Sequence, residues 1–165
     1  MIYHSETAKI RHRIDKYLFE KSVIDIGCGP DKVTLDAFGV DGRPLNGIDY
    51  VTKARNEIYH LDSILDKRFD VVFSSHVLEH LKRDVHALKS WSNLLNPDGV
   101  MLLYLPDDDW YDNDTNPEHV QRYKYVDFVR RFDQFGDIDF LDVIEHWPDV
   151  GKDRYSFFVA CKKRI

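Results

Sequence analysis

Cysteine is scarce in this chain. Only Cys28 and Cys161 occur, far apart and outside any C-x-x-C spacing, which excludes a disulfide framework or a thiolate zinc site and fits a reducing cytoplasm. Long apolar runs are also lacking. Nothing approaches the ~20 residues of a membrane span, and the opening MIYHSETAKIRHRIDKYLFE has no apolar core of about 7–15 residues such as a secretory signal carries. A soluble, unprocessed protein with no membrane partner is expected. Positive charge is in the minority, with 23 Lys and Arg against 29 Asp and Glu and a net charge of -6. That balance opposes phosphate backbones and anionic lipid and disfavours nucleic acid as a partner. There is no internal repeat and no low-complexity tract.

What is present suits one α/β core. With 165 residues, 43% of them hydrophobic, the chain can bury the core of a single domain, 1–165. Ile10, Ile14, Tyr17 and Leu18 follow the possible N-cap Ser5 at helical spacing and predict an amphipathic helix over 6–20. The short run from Ser22 to Ile26 predicts a buried strand ending in the turn Gly27-Cys28-Gly29-Pro30, followed by a short helix through Leu35 and Phe38. Further strands are expected at 45–50, 56–61, 69–74 and 99–105, the last two almost continuously apolar as buried parallel strands are. Val85, Leu88, Trp91, Leu94 and Leu95 mark a crossover helix between the last two. The connections flanking 56–61 are too short for full crossovers, so their helices should be reduced or missing. After a polar segment from Pro106 to Glu118, a helix over 122–135 and a hairpin of runs 138–147 and 155–161 complete the chain.

The chemistry-bearing residues gather at strand ends. Asp25, Gly27 and Gly29 stand at the carboxyl end of the first strand, where missing side chains let backbone approach a ligand. A G-x-G alone is a weak signal, equally suited to turn geometry. Asp49 ends the second predicted strand, where a carboxylate can accept bonds from ribose hydroxyls; a solvated turn aspartate is the alternative. Asp62 and Ser63 follow the third, suited either to an adenine amino group or to capping a helix.

Taken together, VIDIGCGP, GIDY, YHLD, FDVVFSSHVLEHL and LLNPDGVMLLYLPD resemble the successive motifs of class I S-adenosylmethionine-dependent methyltransferases, closest to the type 11-like group. The resemblance runs from Val23 to Pro106, about half the chain. It implies a Rossmann-like doubly wound sheet of seven strands, mostly parallel with an antiparallel last strand, and S-adenosylmethionine as cofactor. It also implies contacts from Gly27, Cys28 and Gly29 to the methionine part, Asp49 and Tyr50 to ribose and the adenine face, Asp62 and Ser63 to adenine, and Ser75 to the methionine amine. Where many relatives place a third glycine, this chain has Pro30-Asp31-Lys32, which disfavours a pyrophosphate-bearing cofactor.

Methyl transfer asks little of the protein beyond alignment, because the sulfonium already activates its methyl group. For a hydroxyl acceptor, His76 and His119 are the candidate bases, each with a capping or turn role as the alternative. A small-molecule acceptor, such as a sugar or secondary metabolite hydroxyl, is expected; a homo-oligomer is compatible with the sequence. His76-Val77-Leu78-Glu79-His80 also matches the zinc-peptidase pattern H-x-x-E-H, but it follows directly on a buried strand and shows no third ligand in the sequence. The acids from Asp107 to Asp114 do not complete a calcium loop, since Pro117 and Tyr123 occupy its glycine and glutamate positions. Trp110 and Tyr111 could stack on an acceptor or anchor their loop. A ligand-binding domain without turnover and a dinucleotide-dependent oxidoreductase are the rival readings.

Overall fold

A computed structural model describes residues 5–54 and 56–164. Helix α1 (Glu6–Leu18) opens the fold, capped by the Ser5 hydroxyl, which accepts from the Ala8 amide at 3.1 Å. The strands are β1 (Val23–Ile26), β2 (Phe38–Asp41), β3 (Tyr50–Val51), β4 (Phe69–Ser75), β5 (Leu95–Pro106), β6 (Leu141–Gly151) and β7 (Arg154–Lys163). The other helices are α2 (Leu61–Ile64), α3 (Asp84–Asn93) and α4 (Tyr125–Arg130), with short 3-10 turns at Glu57–Tyr59, Leu78–His80 and Asn113–Thr115.

The strands form one seven-stranded sheet in the order β3-β2-β1-β4-β5-β7-β6. β1 to β5 are mutually parallel, and β7 runs antiparallel to both β5 and β6. The expected mixed Rossmann-like architecture is therefore present. β4 and β5 lie at its centre; β4 is buried except at Asp70 and Ser75, and β5 is buried throughout Met101–Pro106, which explains the apolar runs there. One face packs Ile24, Ile26, Val72, Leu103, Trp91 and Phe128 beneath α2, α3 and α4. The opposite face packs Val71, Phe73, Leu102 and Tyr104 against α1, whose Ile10, Ile14 and Leu18 fall at four-residue spacing on one side.

Several boundaries differ from the sequence reading. The second strand is Phe38–Asp41, not 45–50, and the run 56–61 forms a 3-10 turn leading into α2 instead of a strand. The helix expected through Leu35 and Phe38 is absent: residues 27–37 are turns and bends, Leu35 is 99% exposed, and Phe38 begins β2. A pattern of two apolar residues was too sparse to hold a helix there. The first helix ends at Leu18 instead of 20, and the last shrinks from 122–135 to α4. The reduced connections after β2 and β3 are as expected, with no helix in 42–49 and only short ones in 52–68.

Candidate active site

The carboxyl ends of β1, β2 and β4 converge on the turn after β1. Gly27 and Gly29 adopt φ of 76° and 57°, the left-handed region that glycine enters without steric penalty. A Cβ on Gly27 would lie 2.1 Å from the Val77 side chain. The amides of Gly27 and Cys28 both donate to the Val40 carbonyl, at 2.7 and 3.2 Å. The Gly29 amide donates to Asp41 Oδ2 at 2.9 Å. The glycine turn is thus tied to the last two residues of β2.

Asp41 is buried, and its second oxygen accepts from the Arg43 amide at 2.9 Å and Arg43 Nε at 3.1 Å. Burial alone would push its carboxyl up, but the bonds from Arg43 and Gly29 outweigh it and hold the group below the usual carboxylate range. Asp41, Gly27, Arg43, Ile58, His76 and His80 are among the lining of a cavity of about 700 Å³, the size of an ordinary ligand pocket. Asp41 was not foreseen. Its signal was a carboxylate directly following the β-prone FGV, masked by the glycine within so short a run.

The residues singled out from sequence divide between this cavity and other places. Asp25 is buried behind the turn, where Oδ2 accepts from the Val33 amide at 2.7 Å; burial pushes its carboxyl up to about 7. It therefore braces the loop instead of lining the cavity. Cys28 is buried against Gly39. Asp49 does not end a strand: it precedes β3 and accepts from the Gly39 amide at 2.8 Å and Lys32 Nζ at 2.7 Å. The Tyr50 hydroxyl donates to Glu57 at 2.9 Å. Asp62 and Ser63 line a separate cavity with Ser90 and Asn93, and the Asp62 carboxylate accepts from both of those side chains. Ser75, one step beyond the Ile26–Ser74 pair, has a buried hydroxyl without a hydrogen-bond partner among the described residues.

His76 follows β4 at φ 52° and lines the cavity. Its Nε2 lies 3.0 Å from the Ser156 hydroxyl, and burial drives the imidazole down to about 3. Glu79, next along the turn, is fully buried, with its carboxyl pushed up to about 8 by burial. The 3.5 Å approach of His76 Nδ1 to Glu79 Oε1 is accordingly a contact between neutral groups near neutral pH, not an ion pair. His119 packs beside Glu79, stacked by Tyr111 at 5.2 Å between ring centres. Tyr111 thus anchors the 106–118 loop, while Trp110 stays 60% exposed. The H-x-x-E-H segment lies on an irregular turn instead of an α-helix, so His76 and His80 do not form the paired ligands of a zinc peptidase.

A family model described as a methyltransferase domain matches residues 3–144. The chain belongs to the methyltransferase domain family. A ubiquinone biosynthesis O-methyltransferase from Haemophilus ducreyi is 31% identical to this methyltransferase over 108 residues, covering 52% of the chain and 45% of the relative. The chain therefore spans under half the length of that curated relative. Among solved structures, the glycopeptide N-methyltransferase MtfA superposes with a TM-score of 0.65 at 14% identity, covering 98% of this chain and 92% of that one. The Burkholderia thailandensis 1,6-didemethyltoxoflavin-N1-methyltransferase, solved with its substrate and S-adenosylhomocysteine, gives 0.70 at 14% identity, covering 96% and 78%. These two likenesses concern the fold.

S-adenosylmethionine is the cofactor of this family, and the site fits it. The Asp41 carboxylate beside the glycine turn can accept from hydroxyl groups, and the buried Ser75 hydroxyl has no hydrogen-bond partner among the described residues. A dinucleotide fits poorly, because no helix N-terminus follows the turn to receive a pyrophosphate.

Proposed function

We propose that this chain transfers a methyl group from S-adenosylmethionine to an oxygen of a small molecule. The carrying observation is a single cavity of about 700 Å³ that joins the β1 turn and Asp41 to the His76–His80 segment, so cofactor and acceptor would share one chamber. Asp41 holds the ribose, the Gly27–Gly29 backbone borders the methionine chain, and Ser75 takes its amine. The bound cofactor supplies an already activated methyl group; what the protein adds is alignment of the acceptor behind it. The O-methyltransferase relative and the acidic balance of the chain, -6, support a small hydroxyl-bearing acceptor over nucleic acid.

His76 contributes shape to this chamber instead of proton removal. Its Nε2 is occupied by Ser156 and its basicity is suppressed by burial, whereas an effective base titrates near the working pH. The decisive experiment is calorimetric titration of the folded chain with S-adenosylhomocysteine and, separately, with NAD. Binding of the first alone is expected. No heat with S-adenosylhomocysteine would remove the methyltransferase assignment, and binding without turnover over a panel of phenols, sugars and hydroxy acids would favour a ligand-binding domain.

A further inference from the structure

The H-x-x-E-H segment failed as a peptidase motif, yet half of it meets a partner that sequence did not disclose. The Glu79 carbonyl accepts from the amides of Val120 and Gln121, both at 2.9 Å. This fixes the end of the long loop across the Leu78–His80 turn and brings His119 beside Glu79. One ligand atom from each of Glu79, His80 and His119 then lies within 4.8 Å of the others.

Three features make this more than a polar cluster. Both Glu79 oxygens are buried and have no hydrogen-bond partner among the described residues, a state that a structural carboxyl in a folded protein avoids. The two imidazoles do not supply one, because each turns its N–H elsewhere. His80 Nδ1 lies 3.0 Å from the Glu118 carbonyl and must donate to it. His119 Nδ1 lies 2.6 Å from Asn113 Oδ1. The orientation of that amide is set by its other end, since Asn113 Nδ2 donates to the Asp108 carboxylate at 2.6 Å and a carboxylate can only accept. Nδ1 of both rings is thereby committed as a donor, which leaves Nε2 as the nitrogen each ring can offer a metal, the arrangement in which metal-binding histidines are oriented by a carbonyl behind them.

We propose that Glu79, His80 and His119 form a binding site for one divalent transition-metal ion at the carboxyl edge of the sheet. Two imidazoles and one carboxylate favour zinc, iron or manganese over calcium or magnesium. Metal–ligand bonds of about 2.0–2.2 Å would hold the three donor atoms roughly 3.3 Å apart; Glu79 Oε1 and His119 Nε2 now stand at 3.9 Å, so loading asks for a small inward movement of side chains. His80 lines the proposed active-site chamber, giving the ion a route in. With three protein donors among the described residues, the ion keeps open positions for an oxygen of the methyl acceptor; this last point rests on the methyltransferase reading.

The test uses the full, tag-free chain stripped with chelator, titrated calorimetrically with zinc and with manganese, then desalted for elemental analysis. One ion per chain is expected. Affinity should fall at least roughly tenfold in Glu79→Gln, His119→Asn and Asn113→Ala, with circular dichroism confirming that each variant is folded. Cobalt loading of the unsubstituted chain gives a reading independent of variant folding: the largest paramagnetic shifts should fall on the rings of His80 and His119. Absence of uptake, uptake unchanged by the substitutions, or largest shifts at His12, His60 or His86 overturns the site. Titration of the same samples with S-adenosylhomocysteine separates the two assignments, because cofactor binding without metal uptake removes the metal site alone, and the reverse removes the methyltransferase reading alone.

Discussion

Asp41, Asp49 and Asp62 are three aspartates within a short stretch of chain, and their partners assign them different work. Only Asp41 faces the chamber at the end of a strand next to the glycine turn. A hydrogen bond to a charged group contributes about 1.5–3 kcal/mol, so Asp41→Asn should weaken S-adenosylhomocysteine binding by roughly 10-fold to 100-fold, read by calorimetry. Asp49→Asn and Asp62→Asn should leave it within about twofold, because neither carboxylate is among the residues lining the chamber; equal losses at all three would overturn the distinction. For His76, replacement by Gln should lower kcat by less than about tenfold, since a true base contributes about 10²–10⁴; a loss in that larger range would restore it as the base. Asp25 carries a pH signature. Its folded carboxyl is raised to about 7 by burial, against an ordinary value of about 3.9, so the folded state binds the extra proton between those values. Stability should fall as pH rises through that window, on the order of a few kcal/mol. Asp25→Asn keeps an acceptor for the Val33 amide and should flatten the slope between urea titrations at roughly pH 5 and roughly pH 8; an unchanged slope would clear Asp25.

At the scale of elements, the sequence was most legible where apolar residues were dense. β4, β5 and α3 are fixed by runs such as FDVVFS and by the Leu88 and Trp91 spacing, and they lie where those patterns put them. Legibility failed between 27 and 68. β2 is four residues long with a glycine inside it, and β3 has two residues, so neither gives a periodic signal. With the intervening helix missing, the usual distance of about twenty residues from glycine turn to ribose acid led to Asp49, whereas the carboxylate that ends β2 beside the turn is Asp41. The Glu79–His119 approach was invisible for another reason: it depends on backbone bonds between segments far apart in sequence. α1 tests the packing argument, because it supplies the buried Ile10, Ile14 and Leu18 to the cluster on one face of the sheet, with Val71, Phe73, Leu102 and Tyr104. Ile14→Ala should cost about 2–5 kcal/mol in urea denaturation; a loss under about 1 kcal/mol would mean the helix is dispensable.

For the molecule as a whole, the two apolar clusters lie on opposite faces of the same sheet, so neither face can lose its cover without exposing the strands that the other shares. Unfolding should be a single cooperative step. Trp91 reports one face and Trp147, stacked on Phe158, the other. Fluorescence of Trp91→Phe and Trp147→Phe variants, each in a Trp110→Phe background, should give urea transitions that coincide with far-ultraviolet circular dichroism. Separate midpoints for the two probes within one variant would show the faces melting independently. No helix among the described residues is long and apolar enough to cross a membrane.

The Asp41–Arg43 pairing has a kinetic corollary. Before any nucleoside arrives, the guanidinium already sits on the carboxylate that would receive the sugar, so filling the chamber is an exchange of one partner for another, not entry into vacant space. Arg43 is two-thirds exposed at its side chain and can swing into solvent, which makes it a displaceable plug. Arrival rates of S-adenosylhomocysteine measured by stopped flow should therefore rise when Arg43 is replaced by Gln, and should rise with added salt in the parent chain but not in the variant.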